Sequence, residues 1–272
     1  MPRKDGHKDR RHFHPRDQHQ RPRGADSGLW LYGMHPVMAA LANPRRKVHR
    51  AVLTERAAQE IGAKLLGRVK HEIADMNAIA RMLPDGAVHQ GVAVQVEKLP
   101  KLDLEDLLSS TPDRDGAAGG VAGQRKIVVV LDQISDPHNV GAILRSAAAF
   151  GASAVVVQDR HAPPESGVLA KSASGALDAV PYVEVVNISR ALEDLGRLGF
   201  WRIALAGDGE QSLQEAAHSG DVAIVLGSEG SGIRRLVREH CDVAAFIPIA
   251  RSTESLNVSN AAAVTLYELR RA

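Results

Sequence analysis

Hydrophobic and polar positions in the second half of the chain alternate between strand-like and helix-like patterns. Continuous apolar runs, such as "KIVVVLDQI" at 126–134, are typical of strands that are buried on both faces of a sheet. Six strands are predicted, at 126–134, 152–158, 182–186, 201–207, 221–227 and 243–249. Helices are predicted between and after them, at 139–151, 169–175, 188–198, 233–239 and 258–271. This alternation predicts a mostly parallel sheet covered by helices on both sides.

The first half of the chain contains a shorter α/β pattern. A strand or turn followed by a helix is expected over 29–43, and a second strand over 47–54. Apolar residues at helical spacing predict a helix over 55–70, and another is expected near 76–82. The alternating segment 89–99 is typical of a strand. We therefore predict a small α/β domain over residues 28–99, which is within the usual size range of domains.

Two segments lack a folding pattern and divide the chain. Residues 1–27 are rich in Arg, Lys and His with almost nothing apolar, so we expect a disordered basic arm. The arm is either a solvated tail without a role or a segment that binds phosphate non-specifically. Residues 100–125 form a predicted linker, with one short helix near 104–109 and a Gly/Ala-rich stretch at 116–123. The second domain is then predicted over 126–272.

Composition and charge exclude several classes of protein. The chain has 272 residues, a formal net charge of +2 and one cysteine, so a disulfide within the chain is impossible. We expect a protein of the reducing cytoplasm, with Cys241 serving as a small apolar residue rather than a catalytic thiol. No apolar run is long enough for a membrane span, and the N-terminus does not resemble a secretory signal.

Three predicted strands are followed by polar or glycine-rich loops. These loops begin near residues 135, 228 and 250, and parallel strands would bring them to one edge of the sheet. The usual dinucleotide and Walker motifs are absent, and so is the serine elbow of hydrolases. No spacing of His, Cys and carboxylates indicates a metal, so no metal site is predicted. The functional site is therefore expected at this edge, with a less common chemistry.

The loops carry motifs of a known family. "DPHNVGAILRSAAAFGA" (136–152), "IVLGSEGSGIRRL" (224–236) and "IPIARSTESLNVSNAAAV" (247–264) resemble, in order, the three motifs of the SpoU (TrmH) branch of the SPOUT RNA 2′-O-methyltransferases. "LYGMHPVMAAL" (31–41) and "DGAVHQGVAVQV" (85–96) are similar to the N-terminal substrate-binding domain of the family's rRNA-modifying members.

The resemblance implies a fold and an activity. It implies an α/β fold with a trefoil-knotted SPOUT domain and a mostly parallel sheet, preceded by a small L30e-like α/β domain that holds RNA. It also implies S-adenosylmethionine as the methyl donor, a homodimer with composite sites, and methylation of a guanosine ribose in 23S rRNA. A tRNA substrate and a non-catalytic protein of ribosome assembly are the alternatives, although an inactive relative should have lost some of the motif residues.

The resemblance also assigns catalytic residues: Asn139, Arg145, Glu229, Ser255 and Asn257. Simpler structural roles are available for some of them. Asn139 could cap a helix, and Glu229 could complement a helix dipole from its first turn. Arg145 is a poor general base because arginine almost never loses its proton, so binding phosphate or the developing oxyanion fits it better. Glu229 would then orient Arg145 or Asn139.

The methyl donor is expected to contact backbone rather than side chains. By resemblance, backbone groups of Gly227, Ile247 and Leu256 hold its adenosine part, although a turn and ordinary core packing are the simpler readings. One of Ser255, Asn257 and Ser259 is expected to cap the last helix. His89 and Gln90, in the front domain, could contact RNA, but such residues are more often hydrogen-bonded within a turn.

Overall fold

The computed structural model describes residues 28–109, 125–250 and 252–271. The predicted basic arm at 1–27 and the Gly/Ala-rich part of the predicted linker lie outside the described residues. Within the described ranges, no helix has the length and apolar character needed to cross a membrane.

The front part of the chain forms a four-stranded sheet with helices. Its elements are β1 (Leu29–Tyr32), α1 (Met34–Ala42), β2 (Val48–Leu53), α2 (Glu55–Ile61), α3 (Ala63–Leu66), β3 (His71–Ile73), α4 (Met76–Ala80) and β4 (Val92–Val96). The strand order is β1-β4-β2-β3, in which β4 is antiparallel to β1 and β2 while β3 is parallel to β2.

Two predictions for the front part were wrong in detail. The single helix expected over 55–70 is two helices, because Gly62 adopts a positive φ of 83° that an α-helix cannot contain. The exposed strand β3 was missed because it lacks the alternation of a half-buried strand. Side chains of Thr54 and Asp75 cap the helices α2 and α4, as polar residues at these positions commonly do.

The second part forms a seven-stranded parallel sheet, which confirms the predicted mostly parallel arrangement and adds one strand to the six that were expected. It follows the short helix α5 (Leu104–Ser109). Its elements are β5 (Ile127–Asp132), α6 (Pro137–Ala149), β6 (Ala154–Gln158), α7 (Gly167–Ala173), α8 (Ala176–Ala179), β7 (Tyr182–Val185), α9 (Ile188–Arg197), β8 (Trp201–Leu205), β9 (Gln211–Ser212), α10 (Leu213–Ala216), β10 (Val222–Gly227), α11 (Arg235–Glu239), β11 (Val243–Phe246) and α12 (Val258–Arg271). The strand order is β7-β6-β5-β10-β8-β11-β9.

Some boundaries differ from the prediction. The helix expected over 169–175 ends at Ala173 because Ser174 and Gly175 take left-handed conformations, and α8 follows. The pair β9 and α10 was missed; both are only a few residues long. The helix expected over 233–239 begins at Arg235, and the last strand ends at Phe246, two residues before Pro248.

Helices cover both faces of the large sheet. Along β5, Val128 and Val130 pack towards α5, α9 and α11, whereas Ile127, Val129 and Leu131 pack towards α6, α7 and α12. Every residue of β5 is buried, which explains why its sequence is continuously apolar rather than alternating.

A buried ion-pair cluster joins the two parts of the molecule. Arg46, which follows α1, donates from Nε to Asp178 Oδ1 at 2.8 Å and also contacts Glu165. Burial alone would lower the pKa of Arg46, but its hydrogen bond to the Asp178 carboxylate and the negative charge of that group outweigh this effect and raise the pKa. The Glu165 carboxylate also accepts from the N–H of Leu99, at the end of the front part.

The last helix returns to the first strand of the large sheet. Arg270, near the end of α12, donates to the carbonyls of Phe150 and Arg125 at 2.6 and 2.9 Å, and also to that of Gly151. Buried side chains of α12 share a core with those of α6. The chain therefore crosses from β11, near one edge of the sheet, back to β5, which is next to the central strand β10.

Candidate active site

The site lies where the strand order reverses. From β5 the chain moves through β6 and β7 to one edge, whereas β10 and β8 lie on the other side of β5. In parallel α/β sheets, ligands bind beyond the carboxyl ends of the strands at such a switch point. The loops after β5 and β10 begin at this point, and the loop after β11 returns to it.

Three polar side chains meet there, one from each loop region. Asn257 donates from Nδ2 to Asn139 Oδ1 at 3.1 Å and to Glu229 Oε1 at 2.7 Å. Asn139 Nδ2 lies 3.4 Å from the same Glu229 oxygen. We call Asn139, Glu229 and Asn257 the amide–carboxylate triad. Two amides thus converge on one carboxylate oxygen and fix its position.

Asn139 is free for this contact because another residue caps its helix. Asp136 is the N-cap of α6 and accepts from the His138 N–H at 2.9 Å, with Pro137 at the first helical position. The reading of Asn139 as a helix cap is therefore wrong. Its side chain extends from the first turn of α6 towards Glu229.

Asn257 has two roles. Its Oδ1 accepts from the backbone N–H of Ser259 at 2.9 Å and from the Ser259 hydroxyl at 2.6 Å, which caps the start of α12. Its Nδ2 makes the two triad contacts. Of the three residues expected to compete for the cap, Asn257 is the one that provides it.

Glu229 lies in the loop after β10 and is exposed. Helix α11 begins six residues later, at Arg235, so the reading of Glu229 as a first-turn carboxylate is wrong. Of the two residues that Glu229 was expected to orient, it contacts Asn139. Within the described residues, Glu229 makes no ion pair with Arg145.

Arg145 is separate from the triad. It lies six residues after Asn139 on α6, which places the two side chains about 120° apart around the helix. Its side chain is exposed and makes no hydrogen bond or ion pair with any residue of the described ranges. A free guanidinium at this position is available to bind an anion from outside the chain.

The predicted donor-binding residues Ile247 and Leu256 lie between β11 and α12, and Ser255, which was predicted to be catalytic, precedes Leu256. Ser255 is exposed, while Ile247 and Leu256 are partly buried. Within the described part of the chain, the backbone N–H groups of Ile247 and Leu256 donate to no protein acceptor. Such open donors beside a strand end fit the hydrogen-bonding edge of an adenosine group.

Gly227 is required by the fold itself. A Cβ built on Gly227 would lie 2.1 Å from the backbone carbon of Gly232 and 2.3 Å from the nitrogen of Ile233. The glycine therefore lets the loop after β10 fold back on the strand end, and the space at its Cα is filled by the protein's own chain.

A buried ion pair under the site was missed by the sequence reasoning. Asp132, the last residue of β5, is fully buried and accepts from the Arg234 N–H and Nε, both at 2.8 Å. Arg234 also donates to Gln158 Oε1 at 3.0 Å. These bonds anchor the far end of the Glu229 loop to β5 and β6. A charged residue at the end of an otherwise apolar strand was the available signal.

The other residues singled out in the sequence make local contacts within the folded chain. His89 is buried and accepts from the Gly91 N–H, while Gln90 accepts from the Met34 N–H, so both are bonded within or near their turn.

Burial raises the pKa of the Cys241 thiol to about 12, which agrees with an inert residue. Among the described residues, no group of three or more His, Cys, Asp or Glu side chains could hold a metal ion.

Comparison with known proteins identifies the family. The sequence model of the SpoU rRNA methylase family matches residues 126–267. The chain belongs to the SpoU rRNA methylase family. In this SpoU chain, residues 30–102 match a second model, described as RNA 2′-O ribose methyltransferase substrate binding. The resemblance recognised from the three motifs is thereby confirmed.

Similar proteins cover almost the whole SpoU chain. The 23S rRNA (guanosine-2′-O-)-methyltransferase RlmB of Xylella fastidiosa (strain Temecula1) is 39% identical over 252 residues, which is 89% of this chain and 96% of that protein. RlmB of Coxiella burnetii is 39% identical over 247 residues, covering 89% and 94%. The crystal structure of the SpoU methyltransferase AviRb from Streptomyces viridochromogenes, in complex with the cofactor AdoMet, superposes with a TM-score of 0.72 at 23% identity, covering 89% of each chain. That structure supports the shared fold.

Proposed function

We propose that this SpoU chain is an enzyme that transfers a methyl group from S-adenosylmethionine to the 2′-hydroxyl of a guanosine ribose in 23S rRNA. The observation that carries the proposal is the triad, in which one residue from each of the three family motifs meets at the switch point of the sheet. The substrate is inferred from the RlmB relatives, which are 39% identical over nearly their whole length.

The donor is inferred to lie beside the loops after β10 and β11. When bound, S-adenosylmethionine supplies an electrophilic methyl group on a positively charged sulfur. The open backbone donors of Ile247 and Leu256, together with the strand end at Gly227, fit its adenosine part. Glu229, at the centre of the triad, holds a fixed negative charge at this edge of the sheet.

The acceptor hydroxyl needs orientation and help in losing its proton. A ribose 2′-hydroxyl is a weak nucleophile near neutral pH, so positioning and electrostatic stabilisation of its oxyanion lower the barrier. We assign that stabilisation to Arg145, whose guanidinium is exposed and free of partners among the described residues. Since arginine is not deprotonated in proteins, its role is to bind the oxyanion or a neighbouring phosphate rather than to act as the base.

The remaining motif residues orient the reactants. Asn139 and Asn257 fix the Glu229 carboxylate through their amides, and we assign them a positioning role. Ser255 is exposed in the loop that precedes Asn257, and we place it on the face that meets the substrate.

The proposed function includes an assembly. Arg145 and the triad are on different sides of α6, so we infer that the protein acts as a homodimer with sites composed from both protomers. We also propose that the segment before α12 is threaded as a trefoil knot, which the return of α12 from β11 to β5 supports. The domains are proposed as 28–99, L30e-like and RNA-binding, and 126–272, catalytic, acting in the cytoplasm.

Methyl transfer tests the proposal directly. Labelled methyl from S-adenosylmethionine is measured on unmodified 23S rRNA, 16S rRNA and tRNA, and the product is mapped as an alkali-resistant 2′-O-methyl nucleotide. We expect transfer to 23S rRNA, with Arg145→Ala losing about a hundredfold or more in kcat/KM while still binding the donor. Arg145→Lys is the matched control, because it keeps the charge but not the planar fork of donors.

The alternatives give different results. Methyl transfer to tRNA but not to 23S rRNA would show that the substrate is tRNA. A second outcome is that calorimetry detects no binding of S-adenosylmethionine and that no methyl group is transferred to any of the three RNAs. That outcome would favour a non-catalytic protein of ribosome assembly.

A further inference from the structure

A cavity in the front part of the molecule has no assigned role. It lies between α1, α2, α4 and the turn before β4, and its volume of about 370 Å³ falls in the range of small-molecule sites, about 300–1,000 Å³. Its wall includes Met34, Arg56, Glu60, Met76 and Gln90. The mixture of thioether, cation, carboxylate and amide is unlike a core void, which would be lined by apolar side chains.

We propose that this cavity binds one unpaired nucleobase of the RNA substrate, at a distance from the nucleotide that is methylated. The inference rests on the proposed function for the identity of the ligand as RNA, and it deepens that function by naming a second point of recognition. Unpaired bases are the parts of RNA that proteins read in sequence-specific recognition, through stacking and hydrogen bonds to their exposed edges.

Gln90 is held in an orientation that suits a base edge. Its Oε1 accepts from the Met34 N–H at 3.1 Å and from Lys171 Nζ at 2.7 Å. The amide Nε2 is therefore left as a donor, and it has no protein partner within the described ranges. A fixed donor without a partner at a cavity wall is suited to a carbonyl oxygen or ring nitrogen of a base.

The backbone at Gln90 supports a functional role. Gln90 has a φ of +56°, a left-handed conformation that few residues other than glycine adopt. Backbone strain of this kind is concentrated at ligand-binding and catalytic sites, where the surrounding structure holds it in place. Here, the two bonds to the Gln90 side chain hold it.

Methionine provides the stacking surface. Met76 is 50% exposed at the start of α4, although a long apolar side chain would normally be buried. Its flexible, polarisable thioether can lie against the face of any base, as methionine does with aromatic rings. Arg56, exposed in the first turn of α2, adds a cation that can reach the phosphate next to the bound base.

The cavity is connected to the triad through two adjacent residues of α7. Lys171 contacts Gln90, and the hydroxyl of Ser172 lies 3.1 Å from His138 Nδ1. His138 precedes Asn139 of the triad. An RNA strand that places one base in the cavity can therefore run along α7 and present a second nucleotide to the catalytic edge.

Binding to two RNAs tests the inference on the full chain. One probe is a hairpin with an unpaired loop, and the other is a duplex of the same length without unpaired bases. We expect Met76→Ala and Gln90→Gly each to weaken binding of the hairpin about fivefold, with unchanged binding of the duplex. Glycine retains the left-handed backbone at position 90, so the second variant removes the amide and its bonds to the Met34 N–H and Lys171 without straining the turn.

Val186→Ala is the matched control, because Val186 is also an exposed apolar residue and lies just after β7, outside the cavity and outside the three family motifs. Equal hairpin affinities for wild type, Met76→Ala and Val186→Ala would overturn the inference. Should Gln90→Gly fail to fold, Met76→Ala alone decides, since its side chain is half exposed.

Methyl transfer separates this inference from the proposed function. We expect the cavity variants to raise KM for 23S rRNA about fivefold with little change in kcat or in donor affinity. A wild-type protein that methylates 23S rRNA, with variants whose KM is unchanged, would contradict the cavity alone. Cavity-dependent hairpin binding by a protein that methylates no RNA would support the cavity and contradict the proposed function.

Discussion

At the scale of single residues, Asn257 shows how one side chain serves both folding and the site. Its oxygen caps α12 and its nitrogen holds Glu229 and Asn139. A serine or aspartate could provide the cap as well as asparagine does, but neither offers an NH₂ group to two acceptors. The residue type at this position is therefore determined by the triad rather than by the helix.

Substitution of Asn257 separates the two roles. Asn257→Ser keeps a cap and should leave the free energy of unfolding within about 0.5 kcal/mol of wild type, whereas Asn257→Ala should cost about 1 kcal/mol. Both variants lose the amide, so both should lose methyl transfer by a similar factor. Denaturant unfolding and transfer assays measure the two effects, and an active Asn257→Ser would show that the amide is dispensable.

Cys241 provides a second test at this scale. Because burial raises the pKa of its thiol to about 12, almost none of it is thiolate at pH 8. Alkylation by iodoacetamide should be about a thousandfold slower than for a free cysteine of ordinary pKa. Mass spectrometry gives the rate directly, since the chain has one cysteine. The same protein in urea should react quickly, and fast labelling of the folded protein would mean that Cys241 opens to solvent.

At the scale of elements, the Glu229 loop is anchored from below. Arg234→Met removes the cation from the fully buried Asp132 and should lower the free energy of unfolding by about 2 kcal/mol. The value is below that for a wholly buried pair because Arg234 is partly exposed. Donor binding should weaken too, because the loop that carries Glu229 loses its anchor.

The control is substitution of the next residue, Arg235→Met. This change removes the exposed ion pair between Arg235 and Glu239. It should change stability and donor affinity little. Equal effects of the two substitutions would show that the buried pair is not what holds the loop. Thermal unfolding and calorimetry with S-adenosylmethionine supply both readouts.

The strands and longer helices were predictable because the positions that they bury are occupied by apolar residues in a recognisable pattern. The apolar runs in β5, β6 and β10 are long enough to indicate strands, and α12 has the predicted bounds. The elements that were missed, β3, α8, β9 and α10, are four residues or fewer, and their sequences lack a period. Breaks such as those at Gly62 and Ser174 depend on backbone conformation, which composition alone does not reveal.

Sequence reasoning named the three side chains of the triad but not how they contact one another. The family resemblance named Asn139, Glu229 and Asn257, whereas physical reasoning alone left each with an equally good structural role. Which of them cap helices depends on neighbours such as Asp136, whose side chain takes the cap of α6. The pairing of Asp132 with Arg234 joins residues 102 positions apart, and no local pattern predicts such a contact.

At the scale of the whole molecule, Arg46 fastens the front part to the large sheet. Arg46→Met would leave Asp178 buried without its cation and should lower the free energy of unfolding by about 3 kcal/mol, since both side chains are almost completely buried. Separate unfolding of the two parts is then expected in denaturant, because the cluster spans them.

The neighbouring Arg45 is exposed, so Arg45→Met is the control and should be close to neutral. Two spectroscopic probes, Trp30 in the front part and Trp201 in the large sheet, can be followed in single-tryptophan variants. Coincident transitions in Arg46→Met would mean that the apolar interface alone keeps the parts cooperative.

The triad also bears on how the protein is made. Its members are 90 and 28 residues apart along the chain, and the last of them begins the helix that closes the core. A nascent chain that has reached Glu229 already has the material for β5, β6 and β10 but still lacks Asn257. Synthesis of the chain as far as Asn257 therefore precedes assembly of the triad, and a partly translated chain, even one still attached to a ribosome, lacks the proposed site of methyl transfer.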